Sequence, residues 1–174
     1  MHYTKIFIIF FFCFISCIKP DKQKNLKNKE NPLIGKVITL NSTYPISETL
    51  SQEKCNRKYK LIVIFDGECS GCIINFLEFI SNYKNTIKNW NCLFISFSQD
   101  IFEIKYYMEK NNIKLTECHD LLADSNLSFF ESNPFIKSNN NIFILNNSNK
   151  IINQINFFHH KEEDTIEILN NYNH

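Results

Sequence analysis

The sequence predicts a single α/β domain built around a parallel βαβ unit, and three patterns predict it. Residues 61–65 (LIVIF) and 92–97 (CLFISF) are short apolar runs, which are typical of strands buried on both faces. Between them, residues 72–89 place apolar side chains at three- and four-residue steps, as one face of a helix does. Two such strands joined by one helix are expected to be parallel neighbours in a covered sheet.

The remaining elements follow from local patterns. Residues 34–40 (IGKVITL) alternate well enough for a leading strand, and the polar residues 41–59 predict a loop. Asp100, with Glu103 three residues later, predicts a capped helix through about residue 112. Further on, the patterns predict a short strand over 118–123 and a helical turn or two over 125–131. A hairpin of two strands, 142–145 and 151–155, and a final helix from Glu162 follow.

The N-terminus has the features of an export signal. A short start with one lysine precedes the apolar run 6–15, which is too short to span a bilayer as a helix of about 20 residues. The run ends in Phe14-Ile15-Ser16-Cys17, which resembles the bacterial lipobox. The resemblance implies cleavage before Cys17 and lipidation of that residue. The alternatives are an uncleaved anchor or an ordinary signal peptide with a chance cysteine.

The chain therefore divides into a lipoprotein signal peptide (1–16), a flexible tether (17–32) and one folded domain (33–174). The tether is rich in lysine and asparagine and nearly lacks apolar residues, so it cannot bury enough surface to fold. The domain has room for one core. The net charge of +1 gives no indication of nucleic acid as a partner.

The cysteine count also carries information. Of 7 cysteines, Cys13 leaves with the signal and Cys17 carries lipid. The five that remain in the domain are Cys55, Cys69, Cys72, Cys92 and Cys118. An odd number leaves at least one of them free or paired with another molecule. A disulfide between Cys55 and Cys118 is possible but not assigned, whereas Cys92 is expected to be a small buried residue in its strand.

The motif Cys69-Ser70-Gly71-Cys72 lies where strand 61–65 ends and helix 72–89 begins. Cysteine reacts as a thiolate, and a helix N-terminus stabilises negative charge through its unpaired N–H groups and its dipole. We expect the more exposed Cys69 to exchange with a partner thiol or disulfide. Cys72, shielded by the helix, would resolve the mixed disulfide.

The segment LIVIFDGECSGCIINFLEFI resembles the strand–CxxC–helix core of thioredoxin-like proteins. Residues 120–152 resemble the second half of the membrane-anchored thiol-disulfide reductase and redoxin branch. The resemblance implies a thioredoxin-like three-layer fold, with a central mixed β-sheet flanked by helices. It also implies a lipid-anchored oxidoreductase of the bacterial cell envelope, facing the periplasm or cell exterior. Its partners would be exported protein thiols or disulfides, or small thiols, and it needs no cofactor and no metal.

The sequence departs from this family in three places. Asparagines 139–141 stand where the family has a cis-proline, so a trans bond and altered substrate docking are expected. Glu68 replaces a common aromatic residue; with Asp66 it should raise the pKa of Cys69, or it could act as a general base. Gly71 replaces the proline common between the two cysteines, which makes the loop more flexible.

Two alternatives remain open. One is a non-enzymatic envelope lipoprotein that uses the scaffold for binding, with Cys69–Cys72 as a structural disulfide. The other is a metal-binding chaperone, because Cys118-His119 together with the CxxC motif could complete a tetrahedral site.

Overall fold

The structure is a computed structural model that describes residues 31–40, 55, 58–99, 101–137, 141–156 and 162–172. Nine elements follow one another in these ranges. The five strands are β1 (Lys60–Asp66), β2 (Asn91–Phe97), β3 (His119–Ala123), β4 (Asn141–Leu145) and β5 (Ile151–Asn156). The four helices are α1 (Ser70–Ile87), α2 (Phe102–Lys110), α3 (Ser128–Ser132) and α4 (Glu162–Asn171).

The five strands form one mixed sheet in the order β3-β2-β1-β4-β5. Strands β1, β2 and β3 are parallel, and β4 and β5 are antiparallel to their neighbours. The predicted βαβ unit is therefore confirmed, with Leu61 in register with Cys92 and Asp66 with Phe97. The carboxyl ends of the three parallel strands meet at one edge of the sheet.

Both faces of β1 are buried, as its apolar run predicts. Leu61, Val63 and Phe65 face a core formed with α1, α2 and α4, while Ile62 and Ile64 face a second core. The predicted apolar stripe of α1 is confirmed, because all of its members are buried: Ile73, Phe76, Leu77, Ile80, Tyr83 and Ile87. Helices thus cover both faces of the central sheet, which confirms the predicted α/β class.

The prediction of a leading strand over 34–40 is wrong. This segment makes a single bridge, between Val37 and Lys150, after a turn in which Gly35 has a φ of 90°. After this turn the segment pairs with the start of β5 over a short length only, through hydrogen bonds that include Ile151 N to Lys36 O at 2.8 Å. Side-chain hydrogen bonds from Asn133 then hold the segment at Thr39.

The helix predicted from Asp100 to about 112 is shorter than expected. It runs from Phe102 to Lys110 with Ile101 as its N-cap, and no side chain caps it. Asp100 lies outside the described residues. The chain leaves the helix at Asn112, whose φ of 53° is in the left-handed region that asparagine tolerates.

The predicted signal peptide and most of the predicted tether lie outside the described residues, which begin at Asn31. Asn31 itself donates a hydrogen bond to Gln154 Oε1 at 2.7 Å, and Gln154 in turn donates to Asn141 Oδ1 at 2.7 Å. This amide chain ties residue 31 to the closing hairpin. Among the helices of the described ranges, none combines the length and the hydropathy that crossing a bilayer demands.

A disulfide joins Cys55 to Cys118, with Cα atoms 5.7 Å apart, and this answers the pairing that the sequence leaves open. Cys92 is buried, as the sequence predicts, and it is a free thiol whose pKa burial raises well above the usual value. Cys92 is in register with His119, directly after Cys118. The disulfide therefore lies at the edge where β1 and β2 begin.

His119 is buried in a neutral form. Its Nδ1 accepts a hydrogen bond from Thr116 N at 3.4 Å, so Nε2 carries the proton and donates to Ile87 O at 3.0 Å. Burial lowers the pKa of His119, although the Ile87 carbonyl and the charge of Asp120 oppose that shift.

We predict that His119 makes the fold less stable in weak acid. Above a pH of about 6.5 the imidazole is neutral in both states and contributes nothing; below it, the unfolded chain binds the proton more readily, so stability falls. His119→Gln should remove this contribution. Urea unfolding at pH 8 and pH 5 should show a smaller loss of stability in the variant, and equal losses would contradict the assignment.

Candidate active site

The Cys69-Ser70-Gly71-Cys72 motif lies at the start of α1, as the sequence predicts. Cys69 is the N-cap residue of α1 with an extended backbone (φ −99°, ψ 109°). Its carbonyl accepts hydrogen bonds from Cys72 N at 2.9 Å and Ile73 N at 3.0 Å, which begin the helix. Cys69 is partly exposed and Cys72 is buried, and neither is joined in a disulfide. The geometry thus brings together the two predicted cysteines, with the outer one accessible to a partner.

The helix end determines the acidity of Cys69. Its pKa is lowered, chiefly by the Cys72 side chain, which donates a hydrogen bond to its sulfur, and then by the Cys72 backbone N–H. Desolvation and the charge of Asp66 act in the opposite direction, and a hydrogen bond from Gly71 N–H lowers the pKa further. The prediction that acidic neighbours raise the pKa of Cys69 is therefore wrong for the net shift. Asp66 does raise it, but hydrogen bonds to the thiolate outweigh one charge near the surface.

Gly67 permits the chain to pass from β1 to the motif. Its N–H donates to Phe97 O at 3.1 Å, which extends the pairing of β1 with β2 by one residue. A Cβ at this position would collide with Ser96 Oγ and would lie 2.9 Å from Ser98 Cβ. The two serines are buried, with 3.0 Å between their hydroxyl oxygens. This close approach fixes where the chain leaves the sheet, two residues before Cys69.

Two carboxylates flank the motif on its N-terminal side. Asp66 Oδ1 accepts a hydrogen bond from Glu68 N at 2.9 Å, which turns the chain out of β1. Glu68, the predicted general base, is exposed at the mouth of a cleft of about 500 Å³ that Asp66 also lines. Asp66 is the carboxylate whose charge acts on Cys69. The structure thus places both acids beside the Cys69 thiol, and the charge of Asp66 is the one that acts on the pKa of Cys69.

Asn141 occupies the described part of the region where the family has a cis-proline. It starts β4, is in register with Ile64 of β1, and is buried. Every peptide bond between two described residues is trans. Asn139 and Asn140 lie outside the described residues. The side chain of Asn141 accepts its hydrogen bond from Gln154, so this residue is held by the hairpin.

The structure does not bring Cys118 and His119 to the motif. They lie where β2 and β3 begin, whereas Cys69 and Cys72 follow the end of β1, about 20 Å away at the usual rise of a strand. Cys118 is bonded to Cys55, and His119 Nε2 is bonded to Ile87 O. Within the described ranges, no three side chains of His, Cys, Asp or Glu group as metal ligands. The geometry therefore gives no support to the metal-binding alternative.

Sequence reasoning missed several residues that shape the site. Asp124 directly follows β3 and accepts hydrogen bonds from Ser128 N, Ser128 Oγ and Phe129 N at 2.8–3.0 Å, so its carboxylate holds the start of α3. Leu127 precedes α3 with a φ of 55°. An aspartate shortly before a helical segment is a signal that could have identified these bonds to the start of the helix. No sequence signal indicates a left-handed leucine.

Comparison with known proteins supports the fold. No protein-family model matches the chain, and no curated protein matches it in sequence. Solved structures do match. The thioredoxin domain of a thiol-disulfide oxidoreductase from Bacteroides vulgatus superposes with a TM-score of 0.50 at 17% identity, covering 72% of this chain and 84% of that domain. A thiol:disulfide interchange protein of the thioredoxin family from Chlorobium tepidum gives a TM-score of 0.52 at 13% identity, covering 71% and 85%.

These similarities, at low identity, concern the fold. They agree with the mixed sheet, its strand order and the helices on both faces. The chain therefore has the thioredoxin-like fold, which these solved thiol-disulfide oxidoreductases share.

Proposed function

We propose that this protein is a thiol-disulfide oxidoreductase that uses Cys69 and Cys72 on the thiols or disulfides of exported proteins. One observation carries the proposal: Cys69 is a partly exposed thiol at the N-terminus of an 18-residue helix, and its pKa is lowered by Cys72. A thiolate available near neutral pH is what exchange with a disulfide requires. No acidic residue lies in the first turn of α1 to oppose the helix dipole.

The chemistry follows from the two positions. The Cys69 thiolate attacks one sulfur of a partner disulfide, forms a mixed disulfide and releases the other sulfur as a thiolate. Cys72 gives up its proton, attacks Cys69 and releases the second partner thiolate, so two electrons pass from the protein to its partner. The reverse sequence oxidises a partner dithiol, and the reduction potentials of the two couples set the direction. We propose Glu68 as the group that accepts the proton of Cys72, because it lies beside the motif at the mouth of the cleft.

The proposed setting is the cell envelope. A disulfide between Cys55 and Cys118 is typical of proteins that fold outside the reducing cytosol. The signal-like residues 1–16 and the lipobox-like Cys17 support export and lipid attachment. In bacteria, replacement of Cys17 with alanine should move the protein out of the membrane fraction and abolish incorporation of a labelled fatty acid. Unchanged fractionation would contradict the lipid anchor.

Single replacements of the two cysteines test the activity. Cys69→Ser should lower the rate of reduction of a peptide disulfide by about a hundredfold or more, because serine is not ionised at neutral pH. Cys72→Ser should leave the first attack intact and accumulate a mixed disulfide through Cys69, visible by mass spectrometry as one added peptide mass.

Cys92→Ala is the matched control, because Cys92 is a buried free thiol in β2. It should retain the exchange rate of the unmodified protein. If Cys69→Ser exchanges as fast as the control, the proposed function is wrong. The proposed function is also wrong if a Cys69–Cys72 disulfide is as difficult to reduce as the Cys55–Cys118 disulfide. The motif would then be a structural disulfide that does not take part in exchange.

A further inference from the structure

The cleft of about 500 Å³ beside the motif is the feature from which a substrate class can be inferred. It opens at the edge where β1, β2 and β3 end, and its wall includes Glu68, the neighbour of Cys69. Its lining includes Asp66 and Glu68, which directly precede Cys69 in the chain, and the apolar residues Leu127 and Phe130. A chain whose cysteine is joined to Cys69 would have its adjacent residues at this opening.

The apolar part of the cleft lining, Leu127 and Phe130, is fixed by local contacts. Phe130 stacks on Phe97 with ring centroids 4.3 Å apart, which makes a firm surface at the end of β2. Leu127 is half exposed although its backbone is left-handed, a conformation that costs a leucine free energy. Hydrogen bonds from Phe130 N and Glu131 N to Leu127 O fix that conformation. Leu127 and the stacked Phe130 ring thus give the cleft an apolar surface that an apolar side chain of a partner could cover.

The cleft lining also has an acidic part. Asp66 and Glu68 contribute two carboxylates next to Cys69, while the carboxylate of Asp124 is occupied by N–H and hydroxyl groups at the start of α3. Lys137 is the one cation among the described residues that line this cleft. A cationic group on the substrate would therefore be attracted to Asp66 and Glu68, and an anionic thiol compound would be repelled.

We propose that Cys69 reacts preferentially with polypeptide cysteines that carry a basic residue next to them and an apolar residue nearby, with the basic group against Asp66 and Glu68 and the apolar group against Leu127 and Phe130. The inference rests on the proposed function, since it names the substrate class of the same site. It excludes small anionic thiol compounds as the favoured substrates.

The test uses three peptides of equal length, each carrying one cysteine as a mixed disulfide with a chromogenic aromatic thiol. They differ only in the residue beside the cysteine, which is lysine, glutamine or glutamate, and each has leucine on the other side. The second-order rate constant with the reduced protein should fall in that order. The lysine peptide should react about tenfold faster than the glutamate peptide at low salt, and the ratio should approach one at 1 M salt.

Variants of the acidic side assign this preference. Asp66→Asn combined with Glu68→Gln should reduce the ratio of the lysine and glutamate peptides to near one. Because both peptides meet the same thiol, their ratio cancels any change in the reactivity of Cys69. Glu78→Gln, a change at an exposed position of α1 outside the cleft, is the matched control and should keep the ratio of the unmodified protein.

A substitution of Leu127 can distinguish an effect on peptide binding from an effect on the free energy of unfolding. Leu127→Asn places a residue that tolerates the left-handed backbone, so the free energy of unfolding should stay equal or rise. The rates with all three peptides should nevertheless fall about threefold, because the apolar contact is lost. Unchanged rates would overturn the apolar half of the proposal.

The outcomes distinguish the two proposals. If none of the peptides reacts with the unmodified protein, the proposed function itself is wrong. If all three react at the same rate, or the glutamate peptide reacts fastest, the proposed function stands and the substrate class inferred here is overturned.

Discussion

Replacing both Cys55 and Cys118 with alanine should lower the free energy of unfolding by about 4 kcal/mol, because their disulfide closes a long loop. The two residues are 63 positions apart, so the cross-link removes much of the conformational freedom of the unfolded chain. It also fixes Cys55 against the start of β3, where Cys118 O accepts a hydrogen bond from Cys92 N at 3.0 Å. Urea unfolding of the variant and of the unmodified protein would measure the difference.

The matched control replaces the other cysteine pair. A Cys69→Ser, Cys72→Ser double variant keeps the Cys55–Cys118 disulfide. Its loss of stability should stay below about 2 kcal/mol, since Cys69 is partly exposed and serine is close in size to the buried Cys72 side chain. A reductant added to this double variant should then reproduce the loss seen with the two alanines. A difference below about 1 kcal/mol between oxidised and reduced forms would show that the long loop is already constrained without the bond.

Asn133→Ala should destabilise the fold by about 2 to 4 kcal/mol, because one buried amide satisfies three backbone groups. Asn133 is fully buried; its Oδ1 accepts from Thr39 N at 2.7 Å, and its Nδ2 donates to Thr39 O at 2.9 Å and Phe129 O at 2.8 Å. Alanine would remove all three bonds and leave a cavity. Hydrogen exchange at Thr39 should accelerate in the variant, since its N–H donates to Asn133 Oδ1 and the variant removes that acceptor.

Asn146→Ala provides the comparison for this substitution. Asn146 also makes two hydrogen bonds, to Ser148 N and Lys150 N at 3.0 Å, but it does so in an exposed turn where water can replace them. Its replacement should cost about 1 kcal/mol or less. If the two alanine variants lose similar stability, burial does not make the three hydrogen bonds of Asn133 more stabilising than the exposed bonds of Asn146.

The order of the elements follows from the sequence because most of it depends on periodicity. The continuous apolar runs of β1 and β2 and the stripe of α1 indicate burial directly, and the structure confirms them. The leading segment fails because alternation cannot show whether a chain finds a pairing partner along its whole length. Residues 34–40 have the alternating pattern, yet the turn at Gly35 gives them a single bridge instead of a ladder.

The site is predictable only in part, for a related reason. The position of Cys69 at a helix N-terminus follows from local sequence, but the sign of its pKa shift does not. Counting charged neighbours emphasises Asp66 and Glu68, whereas the net shift depends on hydrogen bonds from Cys72 that only the coordinates reveal. The cleft could not be foreseen either, because Leu127 and Phe130 line it together with Asp66 and Glu68 through the sheet order and not through proximity in the chain.

Gly67 has a consequence for the design of variants. The space that a side chain would need at position 67 is filled by Ser96 and Ser98. A larger residue at position 67 would therefore require smaller residues at positions 96 and 98. A different loop transplanted between β1 and α1 would therefore have to bring a matching end of β2 with it. The position of Cys69 thus depends on two separate stretches of the chain, and any redesign of the turn between β1 and α1 must change both together.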